Sequence, residues 1–265
     1  MTTLAGLKAD QARIWGSASW QQIAERQLFP VHDELMARLG PRPGERWLDL
    51  ATGTGAVALR AARAGARVTG QDLAPEMIET ARDLAAKEGL SVDFDVGDAE
   101  RLDYPDAWFD VVSSAHGVVH AYDHRAVANE LARVCRPGGR LGLTYWLPNP
   151  ELQALMERVG YARPSGADLP GDWARRDHAT ALLGGAFDLE FAEAVCPWTG
   201  DSGAAMWRLL IESDGPARAG VAGLSAVERT ALERDWIDYF ERHRTPAGIS
   251  APRPYLLILG RRRAG

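Results

Sequence analysis

The stretch RWLDLATGTGAVALRAARA, residues 46–64, constrains the fold more than any other part of the sequence. An apolar run containing Asp49 leads into a loop at 51–55, and an amphipathic helix is predicted directly after it. This order is typical of open α/β sheets, where a glycine loop at a helix start lets backbone N–H groups approach a nucleotide closely. The spacing of Gly53 and Gly55 also fits the dinucleotide pattern G-x-G-x-x-G/A, so a nicotinamide cofactor is one alternative.

Strand and helix patterns alternate from residue 46 to residue 146. The strands are predicted at 46–50, 66–71, 91–96, 109–113 and 140–146, and the helices at 55–64, 75–88 and 124–136. This alternation predicts a doubly wound parallel sheet with helices on both faces.

The flanking regions differ from this central part. Residues 1–44 are predicted to be helical. Further helices are expected at 150–159, between 172 and 187, at 202–213 and at 226–243, with strands at 187–198 and 255–260. We therefore expect a helical N-terminal cap at 1–44 and a cofactor-binding core at 45–146. The remainder, 147–265, would complete the core and carry a helical insertion at 199–253.

Composition limits the class of partner and the compartment. The 265-residue chain has a net charge of -6 and a pI near 5.6, which argues against nucleic acid as a partner. Cys135 and Cys196 cannot form a disulfide framework. The sequence shows no signal segment and no apolar stretch long enough to span a bilayer, so a cytoplasmic protein is expected. The oligomeric state stays open.

Acidic residues follow three of the predicted strands. Asp49, Asp72 and Asp98 lie at the strand ends where open sheets bind their ligands. The two lysines, Lys8 and Lys87, lie elsewhere, and the first arginine after the loop is Arg60. Three carboxylates around the loop suit a cationic ligand better than an anionic pyrophosphate.

Four segments carry a resemblance to a known family: RWLDLATGTG, VTGQDLAPEMIETAR, VGDAERLDYPDAWFDVV and ELARVCRPGGRLGLTYW. In this order and spacing, over residues 46–146, the sequence resembles the class I S-adenosylmethionine-dependent methyltransferases, closest to the quinone-biosynthesis-like small-molecule branch. The resemblance implies an α/β, doubly wound Rossmann-like sheet of seven strands, the last antiparallel, with helical lid insertions. It also implies an enzyme with S-adenosyl-L-methionine as its cofactor and S-adenosyl-L-homocysteine as a product.

The resemblance also assigns cofactor-binding residues. Asp49 and the loop would hold the amino-acid end, Asp72 both ribose hydroxyls, and Asp98 the adenine amine. The full set is Asp49, Ala51, Gly53, Gly55, Asp72, Leu73, Met77, Asp98, Ala99 and Ala115. Two residues depart from the family pattern. Ala51 replaces a frequent glycine, which a negative φ would allow, and Ala74 replaces a frequent helix-capping serine at a cost of about 1 kcal/mol.

Histidines follow the fourth strand in SSAHGVVHAYDH. We interpret His116 and His120 as candidate catalytic bases because imidazole titrates near neutrality; the alternative is that they only make loop hydrogen bonds. His116, His120 and His124 are spaced by four, but Gly117-Val118-Val119 argues against a continuous helix. No metal site is expected here.

The acceptor is predicted to be a small molecule. SSAHG lacks the Asn/Asp-Pro-Pro-aromatic run of enzymes that methylate nucleic-acid amines, and no acid-acid-Asn set for a magnesium-dependent catechol enzyme is evident. This favours O- or C-methylation, with nitrogen acceptors still possible. The predicted pocket residues for an apolar or aromatic acceptor are Trp20, Trp146, Trp207 and Met206; core packing is the alternative for each, and for Trp236 it is preferred. A non-catalytic nucleotide-binding module and an NAD(P)-dependent oxidoreductase are the rival functions.

Overall fold

The computed structural model describes residues 3–18, 20–159 and 165–264, so residues 1, 2 and 19 of the predicted cap lie outside it. The chain divides into two compact units. The sheet unit comprises Pro30–Leu147, Pro164–Ala194 and Tyr255–Gly265, and the helical unit comprises Met1–Phe29, Pro148–Arg163 and Val195–Pro254.

The strands form one mixed sheet. They are β1 Arg46–Leu50, β2 Arg67–Asp72, β3 Val92–Val96, β4 Phe109–Ala115, β5 Cys135–Trp146, β6 Phe187–Gly200, β7 Arg244–Thr245 and β8 Gly248–Arg262. Their order is β3-β2-β1-β4-β5-β8-β6, with the two-residue β7 paired to β8. The first five strands are mutually parallel, whereas β8 is antiparallel to β5. The predicted Rossmann-like sheet with an antiparallel last strand is confirmed.

The helices agree with the sequence pattern except at one place. They are α1 Leu4–Gly16, α2 Trp20–Arg26, α3 Phe29–Leu39, α4 Ala56–Arg63, α5 Pro75–Lys87, α6 His124–Val134, α7 Pro150–Glu157, α8 Arg176–Leu183, α9 Gly203–Ser213, α10 Gly215–Ala222 and α11 Ala226–Glu241. Helix α10 was not predicted, because Gly215-Pro216 resembles a helix breaker. In the structure Pro216 lies in its first turn, where no N–H is needed, and the Asp214 side chain caps it by accepting from the Ala217 amide at 2.9 Å.

Two apolar clusters build the core of the sheet unit. Side chains alternate across a strand, so Leu48 and Leu50 join one cluster and Trp47 joins the other. The Leu48 cluster includes residues of α6 and α8, and the Trp47 cluster includes residues of α3, α4 and α5.

The helical unit has an aromatic core of its own. The rings of Trp207 and Trp236, on α9 and α11, have centroids 6.3 Å apart, and the Phe240 ring lies 5.3 Å from that of Trp236. Within this unit the Gln27 side chain pairs with the backbone of Thr199 in β6. Its Nε2 donates to the Thr199 carbonyl at 2.8 Å, and its Oε1 accepts from the Thr199 amide at 3.0 Å.

Candidate active site

The loop after β1 adopts the conformation that its glycines permit. Gly53 and Gly55 have φ angles of +56° and +85°, in the left-handed region that L side chains rarely adopt. A Cβ atom at Gly53 would meet no heavy atom within 4 Å, so backbone conformation rather than crowding requires glycine there. Gly55 is the N-cap of α4, which places the first amides of that helix beside the loop.

Ala51 is strained, because it lacks the negative φ that would accommodate an alanine without cost. Its φ is +48°, a conformation that costs a non-glycine residue about 1–2 kcal/mol. Gly117 provides the space for the alanine methyl group, since a Cβ atom at Gly117 would lie 2.5 Å from the Ala51 Cβ. The first loop residue is therefore packed directly against the segment that follows β4.

Replacing Ala51 by glycine should raise the free energy of unfolding by about 1 kcal/mol, because glycine adopts a positive φ without strain. Chemical denaturation would measure the change. Ala107→Gly is the matched control, since Ala107 has a φ of +50° on an exposed turn outside the loop. Stabilisation by the control but not by Ala51→Gly would show that methyl packing at Gly117 offsets the strain.

Asp72 joins the two loops at the ends of β1 and β2. Its Oδ2 accepts a hydrogen bond from the Gly53 amide at 2.8 Å, and its Oδ1 accepts one from the Ala74 amide at 2.9 Å. Ala74 is the N-cap of α5 and makes no side-chain cap bond; Asp72 accepts from the amide of Ala74 itself and so fixes the start of this helix. Burial raises the pKa of Asp72. A carboxylate has about four acceptor sites, so each oxygen retains capacity for a ligand hydroxyl.

Asp49 is buried at the carboxyl end of β1 and held by hydroxyl groups. The Thr52 hydroxyl donates to its Oδ2 at 2.6 Å, and the Ser113 hydroxyl donates to its Oδ1 at 2.7 Å. Trp47 Nε1 in turn donates to Ser113 Oγ at 2.8 Å. Burial raises the pKa of Asp49 to about 6. Ser113 was not predicted as a site residue, although strand alternation places it on the same face of β4 as Val111 and hence on the Trp47 side of the sheet.

Stability should depend on pH through Asp49. Its pKa is about 6 in the folded chain and about 3.9 when unfolded, so its stabilising contribution is complete below pH 4 and is lost as the pH rises through 6. Relative to Asp49→Asn, the wild type should lose about 2–3 kcal/mol of unfolding free energy between pH 4 and pH 7. Urea denaturation at several pH values measures this, with exposed Asp93→Asn as the control. Parallel pH curves for wild type and Asp49→Asn would contradict the prediction.

The third acid follows β3 in a tight turn. Asp98 Oδ1 accepts from the Glu100 amide at 3.0 Å, and the Arg101 amide donates to the Asp98 carbonyl at 3.0 Å. Asp49 near the end of β1, Asp72 at the end of β2 and Asp98 just after β3 thus lie at the same edge of three neighbouring parallel strands. Of the other residues assigned to the cofactor, Met77 is buried, and Leu73, Ala99 and Ala115 are partly buried.

An aromatic cluster lies beside the loop, centred on His116. The His116 ring stacks on Trp146, with centroids 4.2 Å apart and planes at 19°, and it meets the edge of Tyr255 at 6.4 Å. Trp146 and Tyr255 face each other across β5 and β8. His116 has a φ of +56°, and backbone strain of this kind concentrates at functional sites. Tyr255 was not predicted as a site residue, although it begins the last predicted strand.

The remaining histidines have different surroundings. His120 ends a 3-10 turn at Val118–His120, and its ring lies 6.4 Å from that of Tyr145. His124 is fully buried; its Nε2 contacts the Val119 carbonyl at 3.1 Å, and its Nδ1 contacts His178 Nε2 at 3.3 Å. Across residues 3–18, 20–159 and 165–264, no three His, Cys, Asp or Glu side chains are grouped so as to hold a metal ion.

The other predicted acceptor residues belong to the helical unit. Met206 and Trp207 on α9 are 2% and 4% exposed within its core. Trp20 is partly buried at the start of α2, with its ring 5.0 Å from that of Trp15. Their role at an acceptor site stays a prediction.

The residues described above lie in the region that known proteins share with this chain. A model of the methyltransferase domain matches residues 48–143, which include the loop, the three acids and His116. An uncharacterised protein of Mycobacterium tuberculosis is 39% identical over 181 residues, covering 67% of this chain and 66% of that protein. Residues 48–143 therefore form a class I S-adenosylmethionine-dependent methyltransferase domain. S-adenosylmethionine is accordingly its cofactor.

Two relatives with named activities align with a part of this chain. A 27-O-demethylrifamycin SV methyltransferase of Amycolatopsis mediterranei is 37% identical over 173 residues, 63% of this chain and 62% of that protein. A demethylmenaquinone methyltransferase of Thermus thermophilus is 44% identical over 122 residues, 45% of this chain and 56% of that protein. The chain thus spans between 56% and 66% of the length of the three relatives named.

A solved structure shows the same fold. The YcgJ protein of Bacillus subtilis superposes with a TM-score of 0.63 at 21% identity, covering 89% of this methyltransferase and all of that chain. No helix in the described part of the methyltransferase is long and apolar enough to cross a membrane.

The residues at the sheet edge fit the cofactor of this family. S-adenosylmethionine carries a sulfonium and an ammonium group; Asp49 and Asp72 bond residues of the loop, and Asp98 lies at the same sheet edge. The guanidinium of Arg60 is engaged by Asp33 at 2.8 Å and by the Ala56 carbonyl at 2.8 Å. A pyrophosphate would lack a cationic partner here, which argues against the nicotinamide alternative.

Proposed function

We propose that this methyltransferase transfers the methyl group of S-adenosylmethionine to a small apolar or aromatic acceptor, with O- or C-methylation favoured. The observation that supports this most directly is the cluster of His116, Trp146 and Tyr255 packed next to Ala51. Flat aromatic rings provide apolar contact area for a planar or apolar molecule. The two relatives with named activities take a demethylrifamycin and a demethylmenaquinone, which agrees with a small acceptor.

In this proposal each sheet-edge residue has one task toward the cofactor, which when bound supplies an electrophilic methyl group on a cationic sulfur. Asp72 accepts the ribose hydroxyls, and Asp98 with Ala99 binds the adenine edge near Leu73 and Met77. Gly53 and Gly55 let the backbone approach the amino-acid end, while Asp49 fixes the loop beneath it. These residues align the reacting groups, which is the main source of acceleration when the leaving thioether needs no acid.

The histidines provide base catalysis where the acceptor arrives protonated. We propose His116 as the first candidate because its strained backbone fixes its ring against Trp146 beside the loop. His120, on the following 3-10 turn, is the second candidate. Met206, Trp20 and Trp207 remain proposed acceptor contacts, and for the two buried α9 side chains core packing is the competing role.

Ligand-induced stabilisation tests the cofactor part of the proposal. S-adenosylhomocysteine at about 100 times its dissociation constant should add roughly 2.7 kcal/mol to the free energy of unfolding, whereas NAD should add little. Thermal unfolding with each compound measures both effects. Stabilisation by NAD alone would contradict the proposal.

Labelled cofactor tests the reaction itself. Incubation with isotopically labelled S-adenosylmethionine and a small-molecule extract of the source organism should yield a labelled product that mass spectrometry identifies. Boiled protein is the control. Cofactor binding without any labelled product, even across panels of phenols, carbon acids and amines, would favour a non-catalytic module of the same fold.

A further inference from the structure

Helix α3 carries one polar residue in its buried stripe. Val31, His32, Leu35, Met36 and Leu39 all face inward, and His32 is 3% exposed. Its Nδ1 is buried and has no hydrogen-bond partner among the described residues. A buried polar atom without a partner is costly, and native structures contain few of them. An apolar side chain at this position would continue the stripe, so the imidazole calls for a functional explanation.

The contacts of α3 place His32 toward the cofactor edge of the sheet. At the C-terminal end of α3, the Leu39 carbonyl accepts from Arg140 Nε at 2.8 Å. Arg140 lies in the first half of β5, away from the Trp146 end that borders the site. Leu35 and Leu39 both pack on Gly142, where a Cβ atom would lie 2.8 Å from each side chain. The helix therefore runs opposite to β5, and His32, one turn before Leu35, lies nearer the carboxyl edge.

Contacts between α3 and α4 place the turn of α3 that contains His32 beside the loop. Asp33 bonds Arg60 at 2.8 Å, and Arg60 bonds the carbonyl of Ala56, the first residue of α4, at 2.8 Å. Ala56 directly follows Gly55 of the loop. His32 thus lies on the Trp47 face of the sheet, close to the start of α4 and toward the edge that contains Asp49.

The charge state of His32 restricts its role. Burial, reinforced by the positive charge of Arg60 and opposed by Asp33, lowers the pKa of His32 to about 3. The ring is neutral at physiological pH and therefore unsuited to act as a base for the acceptor. A neutral imidazole offers one N–H donor and one acceptor nitrogen.

We propose that His32 donates a hydrogen bond to the carboxylate at the amino-acid end of the cofactor. This inference rests on the proposed cofactor site. The loop offers backbone amides, but the negative charge of Asp49 repels a carboxylate bound there, so a further hydrogen-bond donor would stabilise it. The neutral His32 N–H supplies one without introducing a buried charge, and Arg60 is already engaged by Asp33.

Two ligands that differ only in the amino-acid part test this contact. S-adenosylhomocysteine carries the carboxylate, whereas 5′-methylthioadenosine keeps adenine, ribose and sulfur but lacks it. By calorimetry, His32→Phe should weaken S-adenosylhomocysteine binding about 10-fold and leave 5′-methylthioadenosine binding within about 2-fold. His32→Asn, which retains an N–H donor, should recover part of the loss, and the effect should stay constant from pH 6 to pH 8.

The outcomes separate this inference from the proposed function. Equal weakening of both ligands, or no weakening of either, would overturn the His32 contact while leaving the cofactor site in place. If the wild type binds neither ligand, the proposed function itself fails. Should the variants not fold, ¹⁵N NMR of histidine-labelled wild type decides: the His32 ring nitrogens should shift with S-adenosylhomocysteine but not with 5′-methylthioadenosine, and equal or absent shifts would refute the contact.

Discussion

Asp72→Ala should weaken S-adenosylhomocysteine binding about 100-fold while leaving the fold intact. The carboxylate is expected to accept two ribose hydroxyls, and charge-assisted hydrogen bonds are stronger than neutral ones. The variant also loses the bonds that Asp72 accepts from the Gly53 and Ala74 amides, which hold the two loops in place. Isothermal titration calorimetry measures the affinity, and circular dichroism confirms folding.

Two further variants make the result specific. Asp72→Asn keeps one acceptor oxygen without the charge and should lie between wild type and alanine. Asp93→Ala removes an exposed carboxylate from β3 and should leave affinity unchanged. Wild-type affinity in Asp72→Ala would remove this residue from the cofactor site.

His116→Ala should lower kcat about 100-fold at neutral pH with S-adenosylhomocysteine affinity retained, if the acceptor must lose a proton. The ring of His116 stacks on Trp146 at the end of β5, beside the loop residue Ala51, so its loss removes both a base and an aromatic contact. The assay uses the acceptor identified with labelled cofactor. A base role further requires that the wild-type rate rise with pH through the range where imidazole deprotonates, and that this rise disappear in the variant.

His116→Gly separates chemistry from backbone strain. Glycine adopts a positive φ freely, so this variant should be about 1 kcal/mol more stable than His116→Ala but equally slow. His120→Ala is tested in parallel as the second candidate base. Normal turnover in both His116→Ala and His120→Ala would reject base catalysis by these histidines.

Much of the fold was predictable because its signals are local. Strand β1 was predicted at 46–50 and is observed at Arg46–Leu50, since an apolar run bounded by Pro43-Gly44 and a glycine loop leaves little choice of limits. Helix α11 begins at Ser225-Ala226-Val227-Glu228, a capping-box sequence in which Ser225 and Glu228 bond each other's backbone. Helix α10 was missed because Gly215-Pro216 is typical of a helix break, although proline is tolerated in a first turn and Asp214 caps this helix.

The chemistry of the site was predictable in type but not in detail. Acids at strand ends indicate a ligand edge, and Asp49, Asp72 and Asp98 indeed lie at the carboxyl ends of three adjacent strands. The bonds of Asp49 to Ser113 join residues 64 positions apart, which no local pattern reveals. The positive φ of Ala51 likewise depends on the space that Gly117 leaves for its methyl group.

The sequence by itself determined the alternating α/β core, the glycine loop and the residue types that favour a cationic nucleotide, because these follow from periodicity and spacing along the chain. Only the tertiary structure brought His116, Trp146 and Tyr255 together, since their contact requires β8 to lie antiparallel beside β5. It also placed His32 of α3 toward the site edge, through packing on Gly142 and the Asp33–Arg60 pair. Such contacts depend on strand order and helix direction, which are fixed by burial of the whole core rather than by neighbouring residues.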